Sequence, residues 1–158
     1  MKSSETVVLF TINRLSSEDG PGLRTVLCFK GCSLNCRWCG NPGFQNVTPE
    51  IIFHPENCRR NFDCLEVCDY GAISTVANQR VNTAQCSLCK KCVRNCSNRA
   101  LEFCGWTWDV DTLLSEVLKD QEELIQSNGG VTLTGGEPMM QHCFLKEFLP
   151  LSCTLTQL

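Results

Sequence analysis

The stretch KGCSLNCRWCGNP at residues 30–42 holds three cysteines in the spacing C-x3-C-x2-C. Cys32, Cys36 and Cys39 could form one face of a helix, because positions i, i+4 and i+7 lie on the same side. However, Gly31 and the sequence after Cys39, Gly-Asn-Pro42, enclose only eight residues, too few for a stable helix. The spacing therefore predicts a short loop that wraps three thiolates around one metal cluster.

The cysteine content separates two classes of protein. The chain has 158 residues and 14 cysteines, which in a secreted protein would indicate disulfides and in a cytosolic protein metal sites. The amino terminus leads only into the short apolar run Val7–Phe10, which is too short for a signal-peptide core. No stretch approaches the ~18 apolar residues of a membrane span. We therefore predict a cytoplasmic location, no membrane partner, and thiols that are reduced or bound to iron.

Charge gives no indication of a nucleic-acid partner. The formal net charge is −3, and the lysines and arginines are not gathered into a stripe. Nucleic-acid-binding domains usually present a basic patch or stripe, so the sequence predicts that this chain does not bind nucleic acid.

The apolar pattern predicts an α/β fold. It predicts strands over residues 6–12, 23–29 and 131–134, a helix from Val110 to Gln126 capped by Asp109, and an amphipathic segment at 140–149 that Pro150 ends. A strand, a crossover containing a helix and a second strand form a βαβ unit, which implies a parallel sheet.

The surroundings of the cysteine loop narrow the assignment. The upstream sequence Gly20-Pro-Gly-Leu-Arg-Thr25 and the downstream pair Asn41-Pro42 make the region closely resemble the activating enzymes of glycyl radical enzymes. These are members of the radical S-adenosylmethionine (SAM) superfamily of the pyruvate formate-lyase activating enzyme type. The resemblance implies an open 4Fe-4S cluster on the three loop cysteines, with SAM chelated at the open iron and Trp38 against the adenine.

A second motif also matches this family. Gly135-Gly136-Glu137-Pro138 follows a predicted strand and resembles the loop that holds the amino group of SAM. Two glycines allow a close backbone approach, and the glutamate offers a carboxylate near a cation.

Residues 51–104 contain an internal duplication with an offset of 28 residues. The first copy is Cys58, Asn61, Cys64 and Cys68, and the second is Cys86, Cys89, Cys92 and Cys96. The second copy has the spacing of a bacterial ferredoxin, whose fourth cysteine ligates the other cluster. This predicts one cluster on Cys68, Cys86, Cys89 and Cys92, and another on Cys58, Cys64 and Cys96 with Asn61 at the fourth position. The alternative to two iron–sulfur clusters is a pair of zinc sites. Cys104 is a second candidate for the fourth ligand beside Asn61. The role of a buried structural thiol suits Cys104 and Cys28 better.

The resemblance extends to the organisation of the chain, because a subset of these activating enzymes carries a ferredoxin-like insert with two auxiliary clusters. It implies a first barrel strand and cluster loop at 1–50, the insert at 51–104, and a barrel helix, second strand and SAM loop at 105–158. Together these form the N-terminal part of a partial (β/α)6 radical SAM barrel. Later family motifs have no counterpart here, so we expect a truncated chain or fragment with little activity alone.

The resemblance also implies the reaction. An enzyme of this family cleaves SAM reductively to methionine and a 5′-deoxyadenosyl radical, which abstracts hydrogen from a glycine Cα of a partner enzyme. Flavodoxin or ferredoxin is the expected electron donor, and no side chain is expected to act as a catalytic acid or base. Two alternatives are a ferredoxin-like electron carrier with an idle cysteine loop and a ribonucleotide reductase activase. The sequence does not distinguish partners of the pyruvate formate-lyase, diol dehydratase and choline lyase types.

Overall fold

The computed structural model describes residues 5–76 and 80–156. The chain divides into two compact units. The first combines the residues up to Thr48 with those from Gly105 onward, and the second is Pro49–Cys104.

The described residues contain six strands and five α-helices. The strands are β1 (Thr6–Ser16), β2 (Arg24–Phe29), β3 (Glu50–Phe53), β4 (Leu101–Cys104), β5 (Trp106–Asp109) and β6 (Gly130–Gly135). The helices are α1 (Asp63–Glu66), α2 (Lys91–Asn95), α3 (Val110–Leu118), α4 (Gln121–Gln126) and α5 (His142–Thr156). This mixture confirms the predicted α/β class.

A four-stranded sheet in the order β5-β1-β2-β6 forms the first unit. Strands β2 and β6 are parallel, in a register that pairs Arg24 with Gly130 and Phe29 with Gly135, as the βαβ prediction requires. Strand β1 runs antiparallel to both of its neighbours, β2 and β5. The sheet is therefore mixed, and the sequence pattern did not predict β5, a short strand on the segment just before the helix.

Helices α3 and α5 contribute to the core of this unit. On α3, Val110, Leu113 and Val117 recur at intervals of three and four residues and form one buried stripe. The sheet and α5 contribute further core residues that are completely or almost completely buried, namely Val7, Leu9, Leu27, Phe29, Phe144 and Phe148. Packing of this core positions the carboxyl ends of β2 and β6, where the two candidate motifs begin.

The single helix predicted over residues 110–126 is wrong, because the chain breaks it at Asp120 into α3 and α4. The Asp120 side chain is buried and accepts hydrogen bonds from Thr25 Oγ1 and from Arg14 Nη1, both at 2.7 Å. These bonds to β1 and β2 hold a carboxylate inside the unit, and Asp120 itself takes a non-helical conformation with φ −103° and ψ 6°.

The prediction that Pro150 ends the last helix is also wrong, since α5 continues through Pro150 to Thr156. Proline removes one intrahelical hydrogen bond. Burial of Phe148 before it and Ser152 after it keeps the same face of the helix packed. The hydroxyl of Ser152 donates to the carbonyl of Leu149 at 3.0 Å, so the turn around the proline remains hydrogen-bonded.

The second unit is built around a small apolar cluster. Strands β3 and β4 pair antiparallel, and Ile51, Ile73 and Leu101 form the buried centre together with Cys92. Helices α1 and α2 are only four and five residues long. Four other cysteines of the duplication pack against this centre, namely Cys64, Cys68, Cys86 and Cys96. With only four buried residues, the apolar core of this unit is small.

Candidate functional site

The loop that carries Cys32, Cys36 and Cys39 leaves the carboxyl end of β2. Backbone bonds close it, from the Gly31 amide to the Phe44 carbonyl at 2.6 Å and from the Cys32 amide to the Gln45 carbonyl at 3.0 Å. The three cysteine residues are partly exposed, and none is in a disulfide. The loop is therefore closed by backbone hydrogen bonds, and its three thiols are accessible.

Lys30 holds the far side of this loop. Its side chain is completely buried, and Nζ donates to the carbonyls of Gly43 at 3.0 Å and Asn46 at 2.7 Å. A buried ammonium group needs such partners, because burying an unpaired charge is costly. The sequence marked Lys30 only as part of the motif, and its role as an anchor of residues 43–46 comes from the structure.

The second motif lies directly against the first. The Gly136 amide donates to the Phe29 carbonyl and the Glu137 amide to the Gly31 carbonyl, both at 2.8 Å. A Cβ atom on Gly136 would lie 2.2 Å from the Gly31 carbonyl oxygen, and Gly135 has a φ of +103°. The glycines are therefore required for backbone contact between the two loops, and their predicted contact with a ligand stays a prediction.

Glu137 and Trp38, two other residues predicted to contact SAM, differ in their local contacts and exposure. Glu137 Oε1 accepts a hydrogen bond from the Met139 amide at 3.0 Å and caps the 3-10 turn Pro138–Gln141. Trp38 is 85% exposed, so its ring is available to a flat ligand.

Gln141 connects both sides of this arrangement and was missed by the sequence analysis. Its Oε1 accepts from the Val8 amide at 3.0 Å, and its Nε2 donates to the Lys30 carbonyl at 2.9 Å. It thus ties the turn after the second motif to β1 and to the start of the cysteine loop. A single glutamine in a polar turn carries no sequence signal that would reveal this role.

The upstream motif supports β6. Arg24 Nη2 donates to the Val131 carbonyl at 2.7 Å and Arg24 Nε to Thr132 Oγ1 at 3.0 Å. The Thr132 hydroxyl in turn donates to the carbonyl of Asp19 at 2.9 Å. These residues fix the strand that leads into the second motif.

The duplication is visible in the backbone of the second unit. Three pairs of residues offset by 28 share a left-handed conformation, namely Arg60 and Leu88, Phe62 and Lys90, and Gly71 and Arg99. Helices α1 and α2 begin at matching positions. The Ala72 amide donates to Cys68 Sγ and the Ala100 amide to Cys96 Sγ, both at 3.3 Å. The two copies therefore present their cysteines in the same way.

The thiols gather into the two sets that the crossed ferredoxin pattern pairs. One small cavity is lined by Cys68, Cys86, Cys89 and Cys92. A second cavity is lined by Cys58, Cys64 and Cys96, together with Asn61. Cys104 is buried and lines neither cavity, and Cys28 is buried in the first unit.

Electrostatics within each set depends on burial and neighbouring thiols. Burial raises the pKa of Cys92 to about 11, and the nearby Cys86 thiolate adds to the rise. Burial likewise raises the pKa of Cys64. In contrast, a hydrogen bond from the Arg60 amide lowers the pKa of Cys58, and one from the Lys91 amide lowers that of Cys89. Crowded thiolates repel one another, so a full set of them requires a cationic centre.

Within 5–76 and 80–156, no group of three or more His, Cys, Asp or Glu side chains is arranged to hold a metal ion. In the same ranges, every helix is too short or too polar to cross a membrane.

Comparison with known proteins identifies relatives of this chain. No protein-family model matches the chain. Curated relatives include the indoleacetate decarboxylase activating enzyme of Tractidigestivibacter scatoligenes, which is 34% identical over 90% of this chain and 48% of its own length. The isethionate sulfite-lyase activating enzyme of Oleidesulfovibrio alaskensis is 38% identical, with 91% and 48% covered. The 4-hydroxyphenylacetate decarboxylase activating enzyme of Clostridioides difficile is 35% identical, with 90% and 47% covered.

The chain is a homologue of the activating enzymes of glycyl radical enzymes. It spans about half the length of the curated relatives that it matches. These relatives leave about a tenth of the chain unmatched. The segment before residue 30 and the segment after residue 138 are each longer than this unmatched part. Both motifs and the duplication therefore lie within the matched part.

Proposed function

We propose that this chain contributes the cluster-binding and SAM-binding part of an enzyme that generates a glycyl radical on a partner protein. The observation that carries the proposal is the contact of the second motif with the first. The amides of Gly136 and Glu137 bond to the carbonyls of Phe29 and Gly31, immediately before Cys32. Two motifs separated by about a hundred residues thus share one surface beside the cysteine loop.

The residues of this surface suit the two groups that the homology implies. Cys32, Cys36 and Cys39 would hold a 4Fe-4S cluster, leaving one iron for the substrate, as catalytic metal sites keep an open position. Trp38 would stack on the adenine, and the loop Gly135–Pro138 would bind the amino group of SAM. When bound, the cluster supplies the electron that cleaves a C–S bond of SAM, leading to hydrogen abstraction from a glycine of the partner. Lys30 and Gln141 keep both loops in position.

The second unit is proposed to be the ferredoxin-like insert. The 28-residue repeat, the shared left-handed positions and the two thiol-lined cavities support up to two auxiliary 4Fe-4S clusters. Their role would be electron relay or partner docking. For the first unit, the parallel pair β2 and β6 joined through α3 and α4 supports the start of a partial (β/α)6 barrel.

The partner is proposed at the level of its class. The relatives are named for two decarboxylases and a sulfite-lyase, so their names do not agree on one partner. We therefore propose a glycyl radical enzyme as the protein substrate, with flavodoxin or ferredoxin as electron donor in the cytoplasm.

Addition of SAM to the reduced protein tests this function. The full chain is reconstituted with iron and sulfide without oxygen, reduced with dithionite, and examined by EPR before and after SAM is added. We expect a changed cluster signal with SAM and a smaller or different change with S-adenosylhomocysteine, which lacks the sulfonium group. Unchanged spectra with both compounds would overturn the proposal and favour a ferredoxin-like electron carrier.

A further inference from the structure

Arg80 is a buried cation beside the cavity of Cys58, Cys64 and Cys96. Only 4% of the residue is exposed, and it lines that cavity. Nη2 donates to Cys58 Sγ at 3.3 Å, and Nη1 donates to the Ser74 carbonyl at 2.6 Å. The guanidinium group therefore bonds directly to one of the proposed cluster ligands.

Two aromatic rings fix the guanidinium group in place. Its central carbon lies 5.0 Å from the centre of the Phe53 ring and 5.2 Å from that of Phe62, within the range of cation–π contacts. The Nε–H of Arg80 is buried and has no hydrogen-bond partner among the described residues. A buried donor without an acceptor is costly, so an unpaired donor at a thiol-lined cavity indicates an acceptor that binds there.

The other cavity is lined by a different set of thiols and cationic side chains. It has four thiols, and its cation, Lys90, lies with Nζ 3.7 Å from the centre of the Phe103 ring. The cavity beside Arg80 has three thiols and Asn61 at the fourth position. The two proposed clusters would therefore differ by one thiolate and by one hydrogen-bonding guanidinium group.

We propose that Arg80 donates N–H···S bonds to the cluster on Cys58, Cys64 and Cys96 and raises its reduction potential above that of the other auxiliary cluster. This inference rests on the cluster assignment in the proposed function. Reduction adds a negative charge, so a fixed cation and hydrogen bonds to sulfur favour the reduced state. Arg80 would thus be a positioning residue that makes the Asn61-containing cluster the one that accepts an electron first.

The test is a redox titration of the reconstituted full chain, monitored by EPR with dithionite and mediators. Asn61→Cys identifies the cluster, because it changes that cluster's fourth ligand and should move its potential alone. In Arg80→Met we expect the ratio of reduced to oxidised cluster, at a fixed applied potential, to fall at least tenfold. For a one-electron couple this fall corresponds to a lowering of the reduction potential by about 59 mV. The potential of the other auxiliary cluster is the internal reference and should not move.

Two further variants keep the test decisive. Arg80→Lys retains the charge without the guanidinium fork, so we expect the reduction potential of the Asn61-containing cluster in this variant to lie below that of the wild type. This measurement remains available even if Arg80→Met loses iron. Lys90→Met is the matched control and should leave the potential of the Asn61-containing cluster unchanged. A wild-type potential in Arg80→Lys, or equal shifts of both auxiliary clusters in Arg80→Met with iron retained, would overturn the inference. Failure of wild-type protein to load two auxiliary clusters would instead refute the cluster assignment.

Discussion

Contact between two backbones explains why residue 136 is glycine. Its neighbours are carbonyl oxygens, that of Gly31 at 2.2 Å and that of Phe44 at 3.1 Å from a Cβ built on Gly136. Backbone atoms cannot turn aside as a flexible side chain can, so a larger residue must separate the two loops.

We therefore expect Gly136→Ala to lower the free energy of unfolding of the full chain by about 2–4 kcal/mol, measured by urea denaturation. The EPR change on SAM addition should weaken in parallel, because the loops no longer meet. Gly40→Ala is the matched control within the cysteine loop. A Cβ there meets nothing within 4 Å, and its effect should stay within about 0.5 kcal/mol. Equal effects of the two substitutions would contradict the argument.

Asn61 replaces a cysteine in the first copy of the repeat, and its side chain is bound to Asp63 rather than to a thiol. Nδ2 donates to Asp63 Oδ2 at 2.6 Å. A neutral amide oxygen is a weak ligand for iron in place of a thiolate. The proposed cluster at this site should consequently be the more labile of the two.

Substituting Asn61 by Cys should slow loss of iron from this cluster in air by a factor of about ten or more, because a thiolate binds iron more tightly than a neutral amide oxygen does. Asn98→Cys, a thiol placed on the same cavity outside the repeat position, is the control and should change little. Iron release is followed with a chromogenic chelator. An unchanged release rate in Asn61→Cys would refute the under-ligation argument.

At the scale of elements, the long periodic segments were predictable and the interruptions were not. The spacing of Val110, Leu113 and Val117 predicted α3, and the parallel pairing of β2 with β6 followed from the βαβ pattern. The break at Asp120 depends on hydrogen bonds to Thr25 and Arg14, about a hundred residues away in sequence. Such a tertiary preference leaves no local pattern.

The start of α3 offers a test at this scale. Asp109 Oδ1 accepts from the Thr112 amide at 2.9 Å, and this hydrogen bond lowers the pKa of the Asp109 carboxyl group. The carboxylate therefore stabilises the folded state above the ordinary aspartate pKa, and this contribution is lost as the pH falls through the lowered pKa.

We expect Asp109→Ala to lower the urea midpoint at neutral pH, with a difference from wild type that shrinks in strong acid. Asp111→Ala, in the same helical turn without a capping bond, should have a smaller effect at neutral pH. A difference that does not depend on pH would show that the cap is not the cause.

At the scale of the whole molecule, the cysteines and the two motifs of the candidate site could be proposed from the sequence alone. What the sequence could not supply were the groups that hold them: Lys30 beneath the loop, Gln141 between the strands, and Arg80 beside Cys58. Cysteine spacing constrains ligands because a cluster imposes a fixed geometry, whereas a supporting side chain can come from any element that passes nearby.

The division into two units gives the last prediction. The cysteine loop belongs to the first unit and the duplicated cysteines to the second, so the proposed clusters use separate ligands on separately packed elements. Cys36→Ala removes one of only three thiolates in the loop, and two thiolates are too few to hold a 4Fe-4S cluster. The auxiliary ligands are untouched.

We therefore expect anaerobically reconstituted wild-type protein to bind more iron and sulfide than one cluster holds, and Cys36→Ala to lose about one cluster's share. The SAM-dependent EPR change should disappear in Cys36→Ala, while the remaining clusters keep their spectra. Cys28→Ala is the matched control, because Cys28 is buried in the same unit outside the loop and should leave the iron content unchanged. Loss of all clusters together in Cys36→Ala would show that the second unit does not assemble its clusters independently. A single cluster, or zinc alone, in the wild type would contradict the assignment of the duplicated cysteines.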